Sequence, residues 1–536
     1  MSQQTKLPTN YGALSNLITV FFFWGFVAAG NGIFIPFCKS HFNLNQFQSQ
    51  LIDTSYYGAY FYGSFALYLF SQAWGIDFLN RIGYKKGIII GLLISVAGAV
   101  LLAFVSTYSG ATFGLVLAAF FVVALGFSLQ QTAAQPFAIA LGDPSTGSHR
   151  LNMAGGINSL GTLLGPLAVS FVIFGKAGES AKEPTLANIK LLWLILGGLF
   201  AFVAIFFTVS KKLPKLHFEE HIEKSGKATR ALLLIAIPAA ILLFFNNIFT
   251  DAQRPYMVVG TLVFTLLILF SSMSMAKRNK SGWGAMQFPQ LVLGMVAIFV
   301  YVGVEVTVQS NMGALLKTPE FGALDEKYIS PFISLYWGSL MIGRWTGAIS
   351  VFDLKKSTKQ LLTIVVPIIA FALILLVNVV KGNPINNLYL YIICIAVLIA
   401  GIFFGQEKPV KTLLTLSLLA AIAMIIGMMT TGLTATYAFM SGGLFCSVMW
   451  PCIFSLAVAG LGKYTSEGSA FLIMMILGGA IIPPMQGALA DTKMGIHMSY
   501  FVPVACFLYL AWHAIQTRKV LINQGIDFDQ QIEGGH

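Results

Sequence analysis

The densest group of side chains able to do chemistry is Gln130-Gln131-Thr132-Ala-Ala-Gln135-Pro136, set inside a long apolar run. On a helix, Gln131 and Gln135 are four residues apart and share one face. Amides both donate and accept hydrogen bonds, which suits a polyhydroxylated ligand. The next apolar run adds Asn152 and Asn158, with Gly155, Gly156 and Gly161 allowing close helix approach. The same amides could equally well bond one helix to another. One acid lies well within an apolar run, in Tyr301-Val-Gly-Val-Glu305-Val-Thr-Val-Gln309. An ionised carboxylate is expensive there, so Glu305 should be protonated or paired with a cation. That fits a coupling or ligand-binding carboxylate, and also a purely structural pair. At about 1.5 Å per residue from Phe288, Glu305 falls roughly 25 Å along its helix, in the outer half of a bilayer. Asp53 is predicted at a comparable depth, as a second coupling acid or a solvated helix-start carboxylate. Trp337, with Trp24, Tyr56, Tyr57, Tyr60, Tyr336 and Trp450, could stack on a ring-shaped ligand or pack helices together.

The elements that must position these residues follow from composition. The chain of 536 residues is 57% hydrophobic and 10% charged, with a mean hydropathy of +0.79. Soluble domains carry about 25% charged residues, so lipid is the predicted solvent for most of this chain. That argues against a cytosolic enzyme, a secreted disulfide scaffold or a disordered protein. A span needs about 20 apolar residues. Such runs lie at about 14–37, 49–73, 86–107, 112–141, 151–175, 187–210, 231–249, 255–276, 288–316, 329–352, 360–380, 386–405, 411–429, 432–460, 466–490 and 498–517. The fold class is therefore an all-α polytopic membrane protein of about 16 spans, with the first run read as a retained anchor. Cys38, Cys394, Cys446, Cys452 and Cys506 lie in or beside apolar runs and share no metal-ligand spacing. No phosphate-binding loop, catalytic triad or metal-binding His pair is visible, so neither a cofactor, a metal nor an enzyme is expected.

Basic residues near helix ends are retained in the cytoplasm. With the N-terminus inside, 22 of the 32 Lys and Arg fall in inner segments, which predicts both termini to be cytoplasmic. The net charge of +12 then reflects topology and anionic lipid, not nucleic acid. The polar segment 211–230 follows six spans, as in carriers built from two related halves with a site between them. The predicted division is a six-helix bundle over 1–210, a cytoplasmic loop over 211–230 and an extra hairpin over 231–285. The second half then comprises 286–356, another extra hairpin over 357–407, and the last four helices and tail over 408–536. Both hairpins read as peripheral and lipid-facing. Lys356 and Lys408 begin similar strings, and the second is taken as the start of the ninth core helix. Gly75-Ile-Asp77-Phe-Leu-Asn-Arg81 and Gly343-Arg344 through Asp353 recur at matching places in the two halves. They predict a cytoplasmic gate made of Asp77, Arg81, Arg344 and Asp353.

Four stretches carry a resemblance to a known family: Asn31-Gly-Ile-Phe-Ile-Pro36; Gln131-Thr-Ala-Ala-Gln-Pro136 with Leu141-Gly142; Arg150-Leu-Asn152 through Asn158-Ser-Leu-Gly161; and Trp450-Pro-Cys-Ile-Phe-Ser-Leu456 through Gly478-Gly-Ala-Ile-Ile-Pro483 to Asp491. Together they resemble the fucose/glucose/galactose permease branch of the major facilitator superfamily. Tyr301-Val-Gly-Val-Glu305 is more similar to the glucose/galactose members. The resemblance covers both core halves but not the extra hairpins. It implies two six-helix bundles alternating access to a central monosaccharide in a bacterial inner membrane, with no obligatory protein partner. Asn158 matches a sugar-contacting asparagine, and Asn31, Gln131, Gln135, Gln309 and Trp337 complete the expected substrate set. In the proton-coupled fucose members an aspartate stands where this chain has Gly32 and a glutamate where it has Gln131. Coupling to H+ or Na+ is then expected through Glu305 and Asp53. An uncoupled facilitator, and a sensor or scaffold that keeps the carrier fold, stand beside the symporter reading.

Overall fold

The computed structural model describes residues 8–42, 46–106, 108, 110, 112–174, 186–214, 223–244, 248–250 and 253–527. Among them all regular structure is helical. The first half comprises α1 (Tyr11–His41), α2 (Gln46–Trp74), the short α3 (Phe78–Ile82), α4 (Tyr84–Val105), α5 (Phe113–Ala140), α6 (Gly147–Phe174) and α7 (Leu186–Val209). A hairpin of α8 (Gly226–Phe244) and α9 (Arg254–Arg278) follows. The second half opens with α10 (Pro289–Ser310), α11 (Met312–Leu316) and α12 (Glu326–Ala348), followed by the hairpin α13 (Lys356–Val380) and α14 (Ile392–Gly405). It ends with α15 (Pro409–Met429), α16 (Gly432–Cys446), α17 (Met449–Ala457), α18 (Thr465–Met474), α19 (Gly478–Ala490), α20 (Gly495–Met498) and α21 (Phe501–Asn523). Among the described residues, eleven helical stretches are long and apolar enough to cross a membrane by length and composition. Helices are the expected answer in lipid, because each satisfies its own backbone hydrogen bonds.

In the first half α1 packs on α6, and α4 on α5 and α7. Glycine makes the first contact possible. A Cβ on Gly25 would strike the Asn158 carbonyl, and one on Gly161 the Phe22 carbonyl. In the second half α10 is the central post. Nearly all of its side chains are buried against α16, α17, α19 and α21. The outer faces carry exposed apolar residues such as Phe202, Ile205 and Phe404, as a lipid solvent requires.

The two hairpins are less peripheral than the sequence suggests. α8 packs on α2 and α9 on α19, so this hairpin lies against both halves. Tyr62 of α2 donates to Ala236 O of α8 at 2.9 Å. The second hairpin sits among α12, α15 and α16. Asn378 of α13 donates to Ser334 Oγ at 3.1 Å, and Tyr391 to Met440 O at 3.2 Å. Each hairpin therefore turns one face to lipid and one to protein. The helix beginning at Pro409 packs on α16, α17 and α21, whereas α13 packs on α12 and α14.

The halves meet where α6 lies along α12, and where α2 and α5 meet α18. Polar bonds across this seam gather at its predicted cytoplasmic end. Tyr11 donates to Val351 O at 2.9 Å, His149 Nδ1 to Gly347 O at 3.2 Å, and Asn80 Nδ2 to Lys463 O at 3.1 Å.

Candidate functional site

Arg344 is one of the side chains that join the halves. Its Nη2 lies 3.7 Å from Glu305 Oε1, with 12% and 13% of the two side chains exposed. Nη1 donates to Ser159 Oγ at 2.9 Å and approaches Gly155 O at 3.5 Å, both on α6. Nε donates to Ser447 O at 3.1 Å. That carbonyl ends α16, and its helical partner would be the N–H of residue 451, which is a proline and has none. Arg344 thus satisfies an acceptor that Pro451 orphans. The approach requires small neighbours, since a Cβ on Gly155 would lie 3.1 Å from Arg344 Cδ. Trp345 donates alongside to Gly156 O at 3.1 Å.

The antiparallel run of α10 and α12 explains the pairing. Side chains lean toward the N-terminus of their own helix. Glu305, about 24 Å along α10, leans back toward Pro289, and Arg344, near the C-terminal end of α12, leans back toward Glu326. They meet between. Tyr336 donates to Glu305 O at 2.7 Å, and Tyr301, one turn before Glu305, is buried 6.0 Å from the Trp450 ring.

On the first half, Gln131 donates to Tyr60 Oη at 2.9 Å, and Tyr60 bonds Tyr56 at 3.0 Å. Tyr57 beside them crosses the seam, lying against Gly479. Gln135 is buried on the same helix. Asn158 Nδ2 donates to Phe21 O at 2.9 Å, so this side chain also ties α6 to α1. Gln130 takes a wholly structural place. It accepts from Trp24 Nε1 at 2.8 Å and donates to Ser95 Oγ at 3.1 Å. Gln309 and Trp337 are half-buried. The side chains of Asn31 and Asp53 lie outside the described residues.

The four residues expected to form one gate are parted. Asp77 is buried, caps α3 through Asn80 N at 2.8 Å and accepts from Ser466 Oγ of α18 at 2.9 Å. Burial pushes its carboxyl above the usual carboxylate range, against the lowering effect of those bonds. Arg81 and Asp353 are exposed. Arg344 sits inside α12, bonded to Glu305 and α6, and does not join Asp353 in a loop network. The resemblance between the two loops concealed this, because Gly343 marks close packing and not a helix end. A Cβ there would collide with Ser447 Oγ.

A second proline-freed carbonyl lies on the seam. Pro136 within α5 leaves Thr132 O without its helical donor. Ser469 of α18 supplies one from the other half at 2.8 Å.

The model of the Major Facilitator Superfamily matches residues 17–407. The chain belongs to the Major Facilitator Superfamily. Within it, the chain is 30% identical over 513 residues to a glucose/galactose transporter of Brucella abortus, covering 96% of each protein. It is 24% identical to the L-fucose-proton symporter of Escherichia coli, covering 92% of this chain and 90% of that one. Among solved structures it is similar to a superfamily transporter, FucP, in the outward conformation. That match has a TM-score of 0.63 at 21% identity and covers 94% of this chain and 98% of that one. It shows the fold. Superfamily membership accounts for the two packed halves. The Ser159, Ser447 and Ser469 contacts were missed in the sequence, where a serine in an apolar run looks unremarkable. The signal for the Ser447 and Ser469 contacts was Pro451 and Pro136, each four residues after the carbonyl it frees, and the Ser159 contact had none.

Proposed function

We propose that this chain carries a monosaccharide across a bacterial inner membrane by alternating access, coupled to a cation. It has about 16 spans and cytoplasmic termini, with residues 1–210 and the helices after 286 as the moving halves. The observation that carries the reading is Arg344, held at once by Glu305 and by α6 of the opposite half. The names of the glucose/galactose and fucose relatives favour a hexose. The amides of Gln131, Gln135 and Asn158 offer the donors and acceptors that hydroxyls need.

In this scheme a cation at Glu305 displaces Arg344 from the carboxylate. The guanidinium no longer has to neutralise Glu305, and its bonds to Ser159 and Gly155 can be exchanged for sugar hydroxyls or broken as the halves part. A cation that binds Glu305 differently in the two conformations shifts their balance, which is what coupling requires. The observation favouring an uncoupled facilitator is that Arg344 already neutralises Glu305, while Gln131 cannot titrate. The substrate class is tested by counterflow in proteoliposomes preloaded with unlabelled hexoses. Transient accumulation of labelled glucose, galactose or fucose supports the reading. No exchange of any hexose would refute it.

A further inference from the structure

A second acidic site lies on the inner closure, away from Glu305. Glu467, in the first turn of α18, is 4% exposed. Its Oε1 accepts from Ala285 N at 3.1 Å, while Oε2 is buried with no hydrogen-bond partner. The ends of the first hairpin form its cradle. Ser225 precedes α8, and Gly284 and Ala285 follow α9. Gly284 adopts φ +52°, and a Cβ there would collide with both Ser225 Oγ and Glu467 Oε1. Ser225 is fixed in turn by Gln72 and Tyr68 of α2.

A cavity of about 10 Å³, the size of one water, lies between Glu467 and Asp77 and is lined also by Tyr68, Ser71 and Ser466. No cation neutralises the pair among the described residues. The groups facing Glu467 are Asp77 from the α2–α3 loop, Tyr68 from α2 and Tyr464 from its own N-terminal turn. Glu223, ahead of α8, faces Tyr464 behind it, and the Lys463 ammonium lies over the Tyr464 ring at 5.6 Å. A carboxylate with one oxygen unpaired, beside a second carboxylate and shielded from bulk water, is disfavoured. The N-terminus of α18 offsets only part of that.

We propose that Glu467 is a proton-binding residue of the inner closure, holding one proton while the halves meet there and releasing it to the cytoplasm when they part. Asp77 beside it favours the proton by its charge. The closed form binds more protons than the open form, so acid on the cytoplasmic side favours closure and alkali favours opening. Because the proton enters and leaves on one side, the site senses internal pH and does not drive net transport. The inference rests on the alternating-access reading for the parting of the halves.

The test places spin labels at the exposed positions Arg81 and Lys519 of the full-length protein in nanodiscs and measures their separation from pH 5 to pH 9. We expect the closed-to-open ratio to fall about tenfold per pH unit across the titration of one linked proton. Glu467→Gln, which resembles the protonated form, is expected to hold the ratio closed and flat. Glu305→Gln silences the proposed coupling carboxylate, so the comparison is repeated in that background, where the slope is expected to remain with Glu467 and to vanish with Glu467→Gln. A flat wild-type profile would overturn the proposal, as would a slope that survives in Glu467→Gln. If Glu467→Gln fails to fold, loss of the slope in Glu305→Gln alone would overturn it by moving the proton there. A separation that changes neither with pH nor with saturating sugar would overturn the alternating-access reading along with it.

Discussion

Replacing Ser469 with alanine removes the hydroxyl that reaches across the seam to Thr132 O at 2.8 Å. That carbonyl has no helical donor, because residue 136 is proline. A buried acceptor left without a partner costs about 1–3 kcal/mol. The cost falls on the state in which the halves meet at this bond, where Ser469 and Thr132 are both fully buried, and water can replace the hydroxyl once the halves separate. Ser469→Ala should therefore shift the balance toward the open form by roughly five- to 150-fold. Pro136→Ala restores an N–H that can bond Thr132 O within α5. In that background Ser469→Ala should have little effect, leaving a coupling of about 1 kcal/mol or more between the two substitutions. The Arg81 and Lys519 label pair reads the open fraction in all four proteins. Equal shifts from Ser469→Ala in both backgrounds would refute the reasoning, because the hydroxyl would then not be serving the carbonyl that proline frees.

Removing Arg344 alone, as Arg344→Met, leaves Glu305 without a cation and should destabilise the protein by about 3–5 kcal/mol; adding Glu305→Gln should recover much of that in thermal unfolding. Arg344→Lys keeps the charge but loses the fork that reaches Ser159 and Ser447 together, so its thermal stability should fall between wild type and Arg344→Met. Gly161→Ala drives a methyl group into Phe22 O and should cost about 1–3 kcal/mol, read as a lowered unfolding temperature; an unchanged temperature would show that α1 and α6 can separate freely.

The helices were legible because lipid imposes a simple rule of length and apolarity. The run predicted at 112–141 is α5 at Phe113–Ala140, and the run at 386–405 closes at Gly405. The break between Cys446 and Met449 was not legible, because its flanks are as apolar as a continuous helix. The position of Glu305 within a helix was readable, and so was its need for either a proton or a cation partner. That the cation is Arg344 depends on two antiparallel side chains leaning toward each other. Glu467 reads in sequence as an ordinary acid in a first helical turn. It is buried because Gly284 and Ala285, far along the chain, close over it. The hairpins looked peripheral because hydropathy does not distinguish lipid contact from protein contact. Tyr62, Asn378 and Tyr391 mark the protein-facing sides.

In the proposed mechanism Glu305 couples a cation to sugar movement. Uptake of labelled hexose into proteoliposomes, with an imposed proton gradient, an imposed sodium gradient or neither, tests it in wild type and Glu305→Gln. One gradient is expected to drive accumulation in the wild type, while the variant only equilibrates sugar. Equal equilibration by both proteins under every condition, or accumulation that persists in Glu305→Gln, would contradict it.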